Sequence, residues 1–225
     1  LTAFGGGGHT TWDWATNTER PYDTSKGLDL APYFLAYLDD AVPAAEPDWR
    51  NRFLPDAGNA VFRSGWDTDA RWLLLVAEEG SARKTLHDHV DGLSFSIAAY
   101  GEYLLVDPGY YKPSALDNAR TSGPGAHNVV LIDGVGAPAK GKLADFGDTD
   151  AFLTGHDQGA GIAWATGEQA YEGATITRTF ALVRDRWFAV LDRVDSATTQ
   201  DRAHSVRLHG NGGYDSGGSF ALHDD

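Results

Sequence analysis

The sequence predicts an all-β protein, an antiparallel β-sandwich of packed sheets with one helix ahead of it. Two observations carry this. From Ala60 onward the chain breaks into ten short runs rich in β-branched and aromatic residues, bounded by Gly, Asp or Pro, with no helical pattern between them. The 27 Gly and 9 Pro are scattered rather than periodic, which suits a turn-rich β body better than a helical bundle or a collagen-like repeat. With 42% hydrophobic and 12% aromatic content, 225 residues can bury a sizeable core.

Residues 1–26 are rich in Gly, Thr, Asn and Trp without apolar period and read as a loop or connection. Over 28–42, Leu28, Leu30, Ala31, Phe34, Leu35 and Leu38 recur at helical spacing opposite Asp29, Asp39 and Asp40, predicting one amphipathic helix ended by Pro43. The expected strands are 61–64, 72–77, 93–100, 103–106, 129–132, 151–154, 162–166, 174–182, 187–194 and 204–208. Tight turns at Tyr100-Gly101-Glu102-Tyr103 and Arg184-Asp185-Arg186 predict two hairpins, and Asp133-Gly134 and Asp195-Ser196 read as turns. The expected division is 1–59, linker and helix, and 60–225, the β domain.

Composition excludes several functions. A formal net charge of -14 argues against binding nucleic acid or an anionic membrane surface, which needs dense Lys and Arg. It also means that a polyanionic partner would have to be met by locally concentrated basic groups. Without Cys there is no disulfide framework and no thiolate metal site, so a metal would be held by His, Asp and Glu. No stretch approaches the roughly 18 apolar residues of a membrane helix, and the first residues lack the regions of a signal peptide. The absence of Met suggests a processed form or a piece of a longer chain.

The densest chemistry lies in three segments: His87-Asp88-His89-Val90-Asp91-Gly92-Leu93-Ser94-Phe95, then Leu104-Leu105-Val106-Asp107-Pro108-Gly109-Tyr110, then Ala126-His127-Asn128-Val129-Val130. His87 and His89 point to the same side of an extended chain, a common metal-ligand geometry, though the pattern alone equally suits a solvated or hydrogen-bonded pair. Of the other histidines, His204 and His209 flank the last strand run and are expected at a sheet surface, while His9, His156 and His223 fall in polar segments read as loops.

In this order the motifs H-x-H-x-D-x-L-S-F, L-L-V-D-P-G-x-Y and A-H-N-x-V-x-x-D-G resemble those of heparinase II/III-like polysaccharide lyases, over roughly residues 60 to 210. The segments Ile176-Thr177-Arg178-Thr179-Phe180 and 187–194 are similar to the family's next strand pair. The resemblance implies a C-terminal β-sandwich and cleavage of a uronic-acid-containing glycan by β-elimination, the substrate being an acidic polysaccharide or oligosaccharide. It implies zinc held by His89, Asp107 and His127, and a secreted or periplasmic location. It places His87 beside the substrate, as neutraliser of the uronate carboxylate or acceptor of the C5 proton. Tyr110 and Tyr111 are candidate acids, one of the two more plainly a packing residue, and Arg120 suits either an acidic sugar or a surface carboxylate.

Two neutral imidazoles and a carboxylate leave a tetrahedral zinc one water position. In a simple hairpin, however, Asp107 faces about Ser96 and His89 lies ~20 Å further along at ~3.3 Å per residue, so the loop from His87 to Gly92 must fold back. Asp107 equally suits capping the turn at Pro108-Gly109. The resemblance also implies further catalytic Asn, His and Tyr residues on an N-terminal α/α toroid, of which the 28–42 helix would be a remnant and which would be this chain's partner. The alternative is a non-catalytic carbohydrate-binding or scaffolding β-sandwich with a structural metal. There Trp12 and Trp14 are the candidates for stacking on sugars, with Trp66, Trp72 and Trp187 expected inside.

Overall fold

The computed structural model describes residues 45–77, 89–109, 121–138, 150–214 and 220–222. The helix expected over 28–42, and Trp12 and Trp14, lie outside the described residues. The chain divides into two units, Leu1–Arg50 and Asn51–Asp225, and every strand below belongs to the second.

That unit is mostly β, and all its strand pairs are antiparallel. In chain order the strands are β1 (Arg52–Leu54), β2 (Asn59–Arg63), β3 (Trp72–Val76), β4 (Ser94–Ala99), β5 (Glu102–Leu105), β6 (Val130–Ile132), β7 (Ala151–Gly159), β8 (Ile162–Tyr171), β9 (Ala174–Val183), β10 (Trp187–Ser196), β11 (His204–Val206), β12 (Gly212–Tyr214) and β13 (Phe220–Leu222). A five-stranded sheet runs β1-β2-β3-β4-β5 and a four-stranded sheet β10-β9-β8-β7, while β11 pairs with β6 and β12 with β13. The named helical elements among the described residues are two three-residue 3-10 turns, Pro55–Ala57 and Pro124–Ala126.

Alternation along the strands dictates which faces meet. On β2 and β3 the buried residues are Ala60, Phe62, Leu73 and Leu75, each two apart. On β9 they are Ala174, Ile176, Arg178, Phe180 and Leu182. All of these but Arg178 enter one buried cluster with Phe95, Ala163 and Ala165, so the two larger sheets share a core. Phe95 of β4 meets Phe180 of β9 edge to face at 5.0 Å, and a Cβ added at Gly167 of β8 would collide with Leu93. Glycine there lets the sheets approach.

Two-residue turns with both φ positive close the hairpins, at Tyr100-Gly101, Asp133-Gly134, Ala160-Gly161, Glu172-Gly173 and Arg184-Asp185. This conformation matches the right-handed twist of paired strands. Arg184-Asp185 adopts it without glycine, with Arg186 N donating to the Val183 carbonyl at 3.0 Å.

Several local expectations are corrected. Asp195 and Ser196 do not turn; they extend β10 by pairing with Thr175 and Ala174. His156 lies on β7 rather than in a loop, its ring stacked 4.7 Å from Phe53. Trp187 is 63% exposed, because β10 is the sheet's edge and the Trp187 side chain lies on the face turned from the core, with the Arg186 guanidinium 5.4 Å from its ring. Strands β1, β12 and β13 lie outside the ten expected runs.

Candidate metal centre

After His89 the chain folds back, as the spacing of the motifs requires. Val90 N donates to the Ser122 carbonyl at 2.9 Å, Leu93 N to the Val76 carbonyl at 2.7 Å, and Ser94 N to the Asp91 carbonyl at 2.7 Å. Leu93 takes φ 64, a left-handed conformation uncommon for leucine, and is held there by burial against the core. The turn draws Asp91 back over the end of β4 instead of leaving it out in line with the strand.

Asp107 follows β5, whose register against β4 shifts between Ile97 and Ala98 so that Leu105 faces Ile97. One of its oxygens takes the turn-capping role that the sequence left open, and the other meets His127. Oδ1 accepts from Gly109 N at 3.0 Å and caps the Pro108-Gly109 turn, while Oδ2 lies 2.7 Å from His127 Nδ1. His127 ends the 3-10 turn Pro124–Ala126, and its side chain is fully buried. The His89 ring packs beside it, centroid to centroid 5.2 Å at 47°.

One residue the sequence reading passed over joins them. Asp91, Asp107 and His127 each offer a ligand atom, all within 4.8 Å of one another. The signal was present: Asp91 follows His89 by the same i, i+2 step that pairs His89 with His87. His87, Tyr110, Tyr111 and Arg120 lie outside the described residues.

The electrostatics are those of a site short of positive charge. Burial pushes the Asp91 carboxyl above the usual range, and the Asp107 charge adds to this against the opposing effect of His127. Burial also acts upward on Asp107, but the His127 hydrogen bond and charge outweigh it and hold this carboxyl below its ordinary value. Asp91 Oδ1 and His127 Nε2 are buried and make no hydrogen bond among the described residues, an arrangement that a bound ion relieves. Two carboxylates and an imidazole form a nitrogen and oxygen donor set suited to a divalent metal. The Asp107 to His127 contact is a hydrogen bond in this structure, since ligand atoms on a tetrahedral ion with ~2.0–2.1 Å bonds sit about 3.3 Å apart.

Asn128, also fully buried, braces the cluster. Its Nδ2 donates to the carbonyls of Phe95 at 2.7 Å and Val106 at 3.0 Å, its Oδ1 accepts from His209 N at 2.7 Å, and its N–H donates to Ser94 Oγ at 3.1 Å. His204 is exposed, as expected of a sheet surface, whereas His209 Nε2 is buried without a hydrogen bond among the described residues.

With this geometry in place, comparison with known proteins identifies the class. The chain belongs to the heparinase II/III-like, C-terminal family, whose model matches residues 46–222. No curated protein matches it in sequence. Among solved structures it is similar to a heparinase III with methylated lysines (TM-score 0.59, 20% identity, 74% of this chain and 24% of that one). It is similar too to the heparan sulfate lyase HepC from Pedobacter heparinus (0.58, 19%, 83% and 26%) and to another heparinase III (0.59, 18%, 80% and 29%). At this identity the likeness is one of fold, and the chain spans about a quarter of the length of these structures.

Proposed function

We propose that this chain is the β-sandwich part of a polysaccharide lyase, cleaving a uronic-acid-containing glycan by β-elimination, with a zinc-bearing centre in one wall of the cleft. The observation that carries the reading is the Asp91, Asp107 and His127 cluster, with the His89 ring beside it, in a chain of this family. Zinc, when bound, supplies a fixed positive charge that offsets the two carboxylates and pins the turn carrying His89 and Asp91.

The chain's own residues take up the rest of the chemistry. The C5 proton of a uronate is weakly acidic until the neighbouring carboxylate is neutralised, after which a base removes it and an acid protonates the departing O4. His87, two residues from His89, neutralises the carboxylate or accepts the proton. Tyr110 or Tyr111, just beyond Asp107, is the acid, and Arg120 meets an acidic sugar. The remaining groups belong to an N-terminal helical domain joined to this one, in keeping with the quarter share of the solved lyases that this chain spans.

The test is ultraviolet detection of unsaturated product from heparan sulfate, hyaluronan, chondroitin, alginate and glucuronan, using the protein translated from its whole reading frame. Turnover of one uronate, strongly depressed by His87→Ala with the fold intact, supports the reading; no product from any of them contradicts it. Glycan binding without product favours a carbohydrate-binding module, for which exposed Trp187 offers a stacking surface.

A further inference from the structure

The inward face of β9 is apolar except at one position. Arg178 stands between Ile176 and Phe180 on that face and is 0% exposed. A guanidinium taken wholly out of water carries a desolvation cost that well-packed apolar side chains avoid, so stability alone does not account for an arginine there.

Its hydrogen bonds show what it reaches. Nε and Nη2 donate to the two oxygens of Asp192 on β10, at 2.6 and 2.9 Å, and this two-point contact fixes the plane of the fork. Nη1 then donates to the carbonyls of Leu93 at 2.9 Å and Asn128 at 2.6 Å. Leu93 is two residues from Asp91, and Asn128 directly follows His127. The Asn128 side chain in turn holds the Val106 carbonyl, next to Asp107. One network rooted in β9 therefore grips all three segments that supply the cluster.

We infer that Arg178, oriented by Asp192, is a positioning residue for the metal centre, setting the separation between the turn that carries Asp91 and the segment that carries His127. The inference rests on the metal-binding reading above. Lysine cannot substitute, because a single ammonium lacks the planar fork that grips a carboxylate with one edge and two carbonyls with the other.

The experiment measures cobalt(II) binding, cobalt being a visible stand-in for zinc, in the wild type, Arg178→Lys, Asp192→Asn and the control Arg202→Lys. Arg202 also ties loops together, but through Asp133 and the Glu172 carbonyl. Arg178→Lys should weaken cobalt binding about 10–100-fold, the range for outer partners of metal ligands, and alter the visible spectrum of the bound ion. Asp192→Asn should do the same more mildly, and Arg202→Lys should change neither property.

A second readout needs no metal. The NMR resonance of the His127 imidazole N–H bonded to Asp107 should be present in the wild type and Arg202→Lys and lost or shifted in the other two variants. Wild-type cobalt affinity and spectrum in folded Arg178→Lys overturn the inference. If the wild type takes up no cobalt, the metal reading falls, and an unchanged imidazole resonance in the variants then overturns the positioning role as well. Should Arg178→Lys fail to fold, Asp192→Asn decides, its side chain being 19% exposed and more tolerant of change.

Discussion

Asp107 Oδ2 and His127 Nδ1 meet at 2.7 Å across twenty residues of sequence. The pairing depends on the register shift in β4 and β5, on the turn that Asp107 itself caps, and on the 3-10 turn before His127.

Replacing Asp107 with asparagine keeps the shape and removes the charge. A hydrogen bond to a charged group contributes about 1.5–3 kcal/mol, so Asp107→Asn should lose roughly that much stability in chelator. It should also lose most of the gain in thermal midpoint that zinc gives the wild type. Denaturant melts with and without zinc check both, and a variant that zinc stabilises as much as the wild type removes Asp107 from the centre.

Asn128→Ala should cost more than a typical surface substitution. It strips partners from the Phe95 and Val106 carbonyls and from His209 N. Each buried polar group left unsatisfied costs about 1–3 kcal/mol, so a loss above about 3 kcal/mol is expected from urea unfolding. A loss below about 1 kcal/mol would mean that water replaces these bonds.

Tyr171 predicts an alkaline limb in stability. Burial raises its phenol from 10.0 to about 12, against the lowering effect of nearby Arg178, and its hydroxyl donates to the Val130 carbonyl at 2.5 Å. Because the folded value is the higher one, the contribution is fully present below pH 10.0 and declines as the pH rises toward about 12. The stability difference between wild type and Tyr171→Phe should therefore hold constant below pH 10.0 and move in favour of the variant above it. A difference that stays flat through this window contradicts the assignment.

Much of the fold was legible because it is written in alternation. Strands β3 and β9 fall within a residue of the 72–77 and 174–182 runs, and Tyr100-Gly101 turns where expected. Strand β7 runs past Thr154 because its second half, Gly155-His156-Asp157-Gln158-Gly159, is a polar edge whose pairing comes from β8 rather than from its own composition. Alternation assigns residues to two faces without saying which is covered, so the exposure of Trp187 could not be read. At the site, Asp107 and His127 came from motif order, while Asp91 was overlooked within its own motif. Arg178 interrupts the apolar alternation of its strand, but its carbonyl partners Leu93 and Asn128 lie 85 and 50 residues away, so what it reaches could not be read.

The central claim is that Asp91, Asp107 and His127, with His89 beside them, hold one zinc ion. Its most direct test is elemental analysis of protein purified without chelators and equilibrated with zinc, read together with the thermal midpoint before and after chelation. The account predicts one zinc per chain and a midpoint that falls when the metal is removed, because metal binding is coupled to folding. A chain that retains no metal and melts at the same temperature in zinc and in chelator would contradict it.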